Sequence, residues 1–256
     1  MYILEKVNTA CGWQLTPETA VVAEHISMHN WLYPNNRLKA VACGFSELDA
    51  AVLPRLEEES TIIPAGSVDF VNAVLKLQGI KPCTPVNIPD ELNEKEFLNR
   101  RISRESSKIG ILNFMDACSA DEIFIKSDTE LKAGFTGVYA READWPRDTR
   151  YFVSEVAYYI SEWRAFVFHG KLLGIKNYDG GEFKVPDRNF IEKCIAAMGD
   201  SLPAYTLDIG LEPDGRNSVI EVHEFFSCGL YGFDHPALLN MMNEAYRRRK
   251  TVEKYC

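Results

Sequence analysis

Paired cysteines, long apolar runs and a phosphate-binding lysine loop are all missing from this chain. Its seven cysteines (Cys11, Cys43, Cys83, Cys118, Cys194, Cys228 and Cys256) include no Cys-x-x-Cys pair. Their odd number and scattered spacing argue against a disulfide framework or a structural zinc site, and suit a reducing compartment. No apolar run is long enough to cross a bilayer. The start, Met1-Tyr2-Ile3-Leu4-Glu5-Lys6, reads as a strand and has neither the basic nor the apolar region of a secretory signal. A cytoplasmic protein without membrane contact is expected. No Gly-Lys-Ser/Thr ends a glycine-rich loop, so a Walker A site is excluded. The net charge of −9 opposes a general nucleic-acid grip driven by counterion release. Tyr246-Arg247-Arg248-Arg249-Lys250 is basic, but it reads as the charged last turn of a helix. His25 and His29 stand four apart without the Glu of a zinc-protease helix, and read as ordinary helix histidines. Cys228 has no histidine base beside it in sequence and reads as a buried or loop thiol.

What the chain does have is an alternation of strand-like and helical runs over 256 residues, 46% of them hydrophobic. That is enough for one large domain or two small ones, in α/β or α+β layers. Early strands are expected at Tyr2-Ile3-Leu4, Ala40–Cys43 and Thr61–Pro64. Ser67–Leu77 has apolar residues at helical spacing, with Ser67 as its cap. Three prolines between Lys81 and Pro89 exclude a long helix there. A boundary near residue 90 then divides the chain into domains 1–90 and 91–256. Glu91–Lys108 is highly charged and predicts a surface helix, with Arg100 and Arg101 on its solvated face. Beyond it, strands are expected at Glu122–Lys126 and Tyr151–Val156, a hairpin at Glu162–Lys176 turning at His169-Gly170, and a helix at Asn189–Met198.

Three constellations in the second half could carry chemistry. In the first, Lys126 ends an apolar strand, and a loop with Lys132, Gly134, Thr136 and Gly137 follows it. Glycines let backbone N–H groups approach phosphates, and the lysines add charge. In the second, Glu162 and Arg164 share a strand face. They are either a surface ion pair or an acceptor for ribose hydroxyls beside a planar fork for a phosphate. In the third, two apolar runs flank Pro213-Asp214-Gly215. A two-residue turn at Asp214-Gly215 would place Asp208 directly opposite Glu221. Facing carboxylates repel, and a hard divalent cation between them relieves this. His223 points to the same face as Glu221. A glycoside-hydrolase reading needs its two carboxylates held apart, which this pattern does not offer.

In order and spacing these pieces resemble the ATP-grasp superfamily. Closest are its small phage-associated members, on Ile125-Lys126, Phe135-Thr136-Gly137, Ser161-Glu162-Trp163-Arg164 and Ser227–Gly232. The resemblance spans roughly residues 120–235. It implies an α+β ATP-grasp fold of two lobes clasping ATP, preceded by a small α/β domain that helps to bind the acceptor. Lys126 and Lys132 would contact the phosphates, Glu155 and Val156 would line the adenine hinge, and Glu162 would hold the ribose. Asp208, Glu221 and His223 would hold Mg2+. His223 stands where the family usually has Asn, which leaves Mn2+ open. Arg164 would stabilise charge on the transferring group. Lys176 is a further phosphate candidate, but the simple register pairs it with Trp163, so it reaches the site only through a bulge. The implied activity is ATP-dependent ligation of a carboxylate to an amine through an acyl phosphate. Amino acids, peptides or protein termini would be the substrates, and self-association is left open. A kinase or nucleic-acid-modifying enzyme on the same scaffold and a non-catalytic ATP-binding module are the rivals. Gly66-Ser67 is the one acceptor contact the N-terminal part suggests.

Overall fold

A computed structural model describes residues 1–144 and 150–252. The chain forms two compact units. One holds Met1–Cys83, Pro203–Tyr205 and the stretch from Glu224 onward; the other holds Thr84–Leu202 and Thr206–His223. Among the described residues no helix is long and apolar enough to cross a membrane.

In the first unit the strand β1 (Tyr2–Thr9) is central. It pairs antiparallel with β2 (Gly12–Leu15), and parallel with both β3 (Ala40–Cys43) and β4 (Ile63–Ala65). Between them run α1 (Pro17–Leu32), the short α2 (Leu48–Val52) and, after β4, α3 (Val68–Leu77). Thr16 caps α1 and Ser67 caps α3, each accepting the N–H three residues on. The buried stripe of α3, Phe70 and Val74, packs with Ile3, Val52 and Ile62 into one core. The last helix, Leu238–Val252, is tied to this unit by polar bonds. Tyr246 Oη donates to Gln78 Oε1 at 2.7 Å. The basic turn is not merely solvated: Arg248 and Arg249 both bind Glu224, and Arg249 also donates to the Pro82 carbonyl.

The second unit opens with α4 (Lys95–Leu98) rather than a long surface helix. Phe97 and Leu98 are buried, and Asn99 then turns left-handed at φ 52°, which ends the helix. The chain leaves as an edge strand, β5 (Ile102–Glu105). Two antiparallel sheets follow. The first has the order β5-β8-β6-β7, with β6 (Glu122–Ser127), β7 (Gly137–Ala140) and β8 (Tyr151–Glu155). The helix α5 (Lys108–Cys118) covers it, packing Ile111 and Met115 on Ile123, Ile125 and Val153. The second sheet has the order β10-β9-β11-β12. Its strands are β9 (Ser161–Phe168), β10 (Lys171–Gly180), β11 (Ala204–Leu211) and β12 (Asn217–Glu224), with α6 (Arg188–Met198) between β10 and β11. Every residue of β11 is buried, as befits an inner strand.

Candidate functional site

The turn joining β11 to β12 has three residues, not two. Glu212 N–H donates to the Arg216 carbonyl at 2.8 Å, and Gly215 N–H donates to the Glu212 carbonyl at 2.9 Å. Gly215 takes a φ of 88°, as this longer loop needs a left-handed residue before the strand resumes. Continued without interruption, that register would put Ile220, not Glu221, opposite Asp208 and turn Glu221 to the other face. The carboxylates meet nevertheless. Asp208, Glu221 and His223 each offer one ligand atom, all within 4.8 Å of one another. Val219 and Val222, three apart, are both fully buried, so strict alternation breaks between them. A break of this kind leaves ladder carbonyls to be satisfied elsewhere. Arg100 does this, donating to the carbonyls of Val219 at 2.8 Å and Ile220 at 3.3 Å, and to Ser154 Oγ at 3.0 Å. It is therefore a strut behind the site and not a solvated helix arginine. Asn87 supports the far edge of β12, accepting from Val222 N–H and donating to Asp128.

Cations of the chain itself face this acidic cluster. Asp208 is 2% exposed and takes a two-pronged ion pair from Arg164 on β9, Nε to Oδ1 at 2.8 Å and Nη2 to Oδ2 at 2.7 Å. Lys126, at the end of β6 in the other sheet, donates to Glu221 Oε2 at 2.5 Å. His223 Nε2 lies 2.6 Å from Glu221 Oε1 and 4.0 Å from Asp208 Oδ2. Burial pushes the Asp208 carboxyl above its ordinary range, against the pull of Arg164 and His223. Burial also works on Glu221, but His223 and Lys126 together outweigh it and hold this carboxyl well below the usual range.

The hairpin of β9 and β10 turns at His169 and Gly170, with φ values of 47° and 67°. Its ladder then shifts by one residue between Leu172 and Gly174, so Lys176 pairs with Arg164. This is the bulge that Lys176 requires to share the face of Arg164. A second shift falls between Asn177 and Asp179. Tyr178, inside it, places its ring 5.7 Å from the Arg164 guanidinium carbon and hydrogen-bonds Glu162. Burial, and then the charges of Asp208 and Glu162, push the Tyr178 hydroxyl far above the ordinary tyrosine range. Glu162 is also raised, by burial first and then by the negative charge of Asp179, Asp208 and Glu221. Sequence reasoning passed over Tyr178, although it lies two residues from Lys176, a spacing that signals a shared face.

Other expected residues stand apart from this cluster. Lys132, Gly134 and Thr136 are exposed on the loop before β7, and Lys132 is left-handed at φ 55°. Gly137 begins β7 opposite Ile125. Glu155 spends its carboxylate on Arg101, accepting from the backbone N–H at 2.7 Å and from Nη2 at 2.9 Å. With Val156 it lines a cavity of about 830 Å³ that also takes in Arg100, Cys118, Tyr158 and Arg216. In the first unit, Ser67 gives both its N–H and its hydroxyl to Glu5. Gly66 lines a small cavity of about 40 Å³ with Thr19, Phe226 and Ser227. His25 pairs with Asp234, and His29 stacks against Tyr33, so neither serves a metal site with the other.

A family model of the ATP-grasp domain, described as the second family of its clade, matches residues 97–241. The chain belongs to this ATP-grasp family. Solved structures share its fold along nearly the whole length. D-cycloserine synthetase DcsG aligns at a TM-score of 0.54 and 12% identity, over 97% of this chain and 99% of that one. The D-alanine–D-alanine ligase of Bacillus anthracis, solved with ATP, aligns at 0.53 and 15%, over 98% of each. A RimK domain ATP-grasp protein of Sphaerobacter thermophilus aligns at 0.54 and 14%, over 97% of each. No curated protein matches the chain. The fold is thus the α+β ATP-grasp fold. Its family implies a divalent cation, and the converging oxygen and imidazole donors of Asp208, Glu221 and His223 fit one.

Proposed function

We propose that this chain is an ATP-dependent carboxylate–amine ligase, and that among ATP-grasp proteins it stands near the small phage-associated members. One observation carries the reading. In an ATP-grasp domain, two carboxylates and an imidazole converge on one face, with Lys126 and Arg164 set against them. Asp208, Glu221 and His223 would hold Mg2+ or Mn2+. When bound, the cation neutralises the phosphates of ATP and so favours transfer of the terminal phosphoryl group.

The residues of the chain supply the rest. Lys126 reaches the phosphates from β6, and Lys176 reaches them from β10 because the bulge turns it to the face of Arg164. Lys132 and the backbone of Gly134, Thr136 and Gly137 would cover them from the loop. Glu162 accepts from the ribose hydroxyls, held by Tyr178. The Glu155 carboxylate is occupied by Arg101, so the adenine edge meets the backbone of Glu155 and Val156. Arg164 stabilises charge that develops on the transferring phosphoryl group. The acceptor carboxylate attacks the γ-phosphorus and ADP leaves. The amine then attacks the acyl carbon, and phosphate leaves as the amide forms. The unit containing residues 1–83 would bind the acceptor, an amino acid, a peptide or a protein terminus. Asp208→Ala and Glu221→Ala should each abolish ADP release in a lysate supplied with ATP and Mg2+. Undiminished turnover in both variants would sink the assignment, and a phosphorylated product without a new amide mass would mark a kinase instead.

A further inference from the structure

The cluster on β11 and β12 has an imidazole as its third donor, and the hydrogen bonds around it show which donors are already committed. Both oxygens of Asp208 are engaged by Arg164. Glu221 Oε2 is engaged by Lys126. The remaining donor atoms, Glu221 Oε1 and His223 Nε2, face each other at 2.6 Å. A cation entering here meets a nitrogen as readily as an oxygen. Mg2+ favours carboxylate, carbonyl and water oxygens and gives up its water reluctantly. Imidazole favours first-row transition cations, and geometry together with ligand type decides selection among them.

We propose that His223 Nε2 is a direct metal ligand, so that the site selects Mn2+ or another first-row transition cation over Mg2+. This rests on the nucleotide-site reading above and adds the identity of the cation. Ligation uses the neutral ring with its proton on Nδ1. Glu221 Oε1 completes the entry pair. Asp208 joins only as far as Arg164 releases it.

The test uses the full chain, a non-hydrolysable ATP analogue and Mn2+. Electron spin echo spectra of bound Mn2+ should show ¹⁴N modulation from one directly coordinated imidazole. The modulation should persist in His169→Asn, a hairpin-turn control, and vanish in His223→Asn. In competition with Mg2+, followed by the Mn2+ signal, His223→Asn should lose on the order of tenfold of its preference for Mn2+. Bound Mn2+ without nitrogen coupling in the wild type overturns the proposal, as does coupling or preference unchanged in His223→Asn. Mn2+ and nucleotide failing to bind the wild type at all overturns the ligase reading with it. The wild-type spectrum decides the matter even where the variant does not fold.

Discussion

The two hairpins of the second sheet solve the same task in opposite ways. The β9–β10 hairpin has a two-residue turn with both residues left-handed, His169 and Gly170, and carries its irregularities inside the ladder. The β11–β12 hairpin has its extra residue in the turn, and a break in alternation near Glu221 restores the face. In both, one misplaced residue would send a charged side chain to the wrong side of the sheet. The turn alone therefore does not set which residues meet. What sets it is what lies behind each strand, and that can be broken one support at a time.

The largest expected loss comes at Gly210, in the middle of β11. A Cβ there would lie 2.2 Å from Tyr159 Cδ1 and 2.4 Å from Cε1. Tyr159 sits in the linker from β8 to β9, and its ring packs against the bare backbone of β11. Gly210→Ala should cost about 3 kcal/mol, from overpacking of a rigid ring. Urea denaturation gives the number, and a loss under about 1 kcal/mol would mean that Tyr159 swings away freely. Gly210→Ala with Tyr159→Ala should then recover part of the loss, because the clash needs both partners.

Arg100 comes next. Arg100→Ala should cost about 2 kcal/mol, because the buried carbonyls behind β12 lose their donor. It should also weaken divalent-cation binding, because Glu221 follows directly on Ile220, one of the residues Arg100 holds. Arg101→Ala is the matched comparison. Its partner Glu155 is also an ion pair, but Arg101 is exposed, and such pairs contribute about 1 kcal/mol or less. Equal losses for the two arginines would remove the strut from the account.

The same contrast explains what could be read in advance. The His169-Gly170 turn, the cap at Ser67 and the strands Ala40–Cys43 and Glu122–Lys126 depend on neighbours in sequence, and all were legible. The meeting of Asp208, Glu221 and His223 on one face was legible too, though through a register that the turn does not keep. Arg100 was not legible. It stands in a run of charges that resembles a solvated helix, yet its partners are some 50 and 120 residues away in sequence. The bulge beside Leu173 was named only as a condition for Lys176, since nothing in Gly170-Lys171-Leu172-Leu173 encodes it locally. Residues fixed by distant partners are where pattern reading ends.

The smallest effect is expected where the structure is most local. His169 holds a left-handed conformation at the first turn position, and its ring lies 4.3 Å from that of Phe168. Asn adopts that conformation more readily than most residues and forms a favoured pair with Gly in two-residue hairpins. His169→Asn exchanges a ring contact for an easier backbone, so stability should stay within about 0.5 kcal/mol of the parent. The ladder shift beside Leu173 should also remain, because it is held from within the sheet. Thermal denaturation measures the first expectation, and nucleotide binding through Lys176 measures the second. A loss of binding with stability intact would show that the turn, and not the strand interior, sets the face of Lys176, and the contrast between the two hairpins would fail at its simpler member.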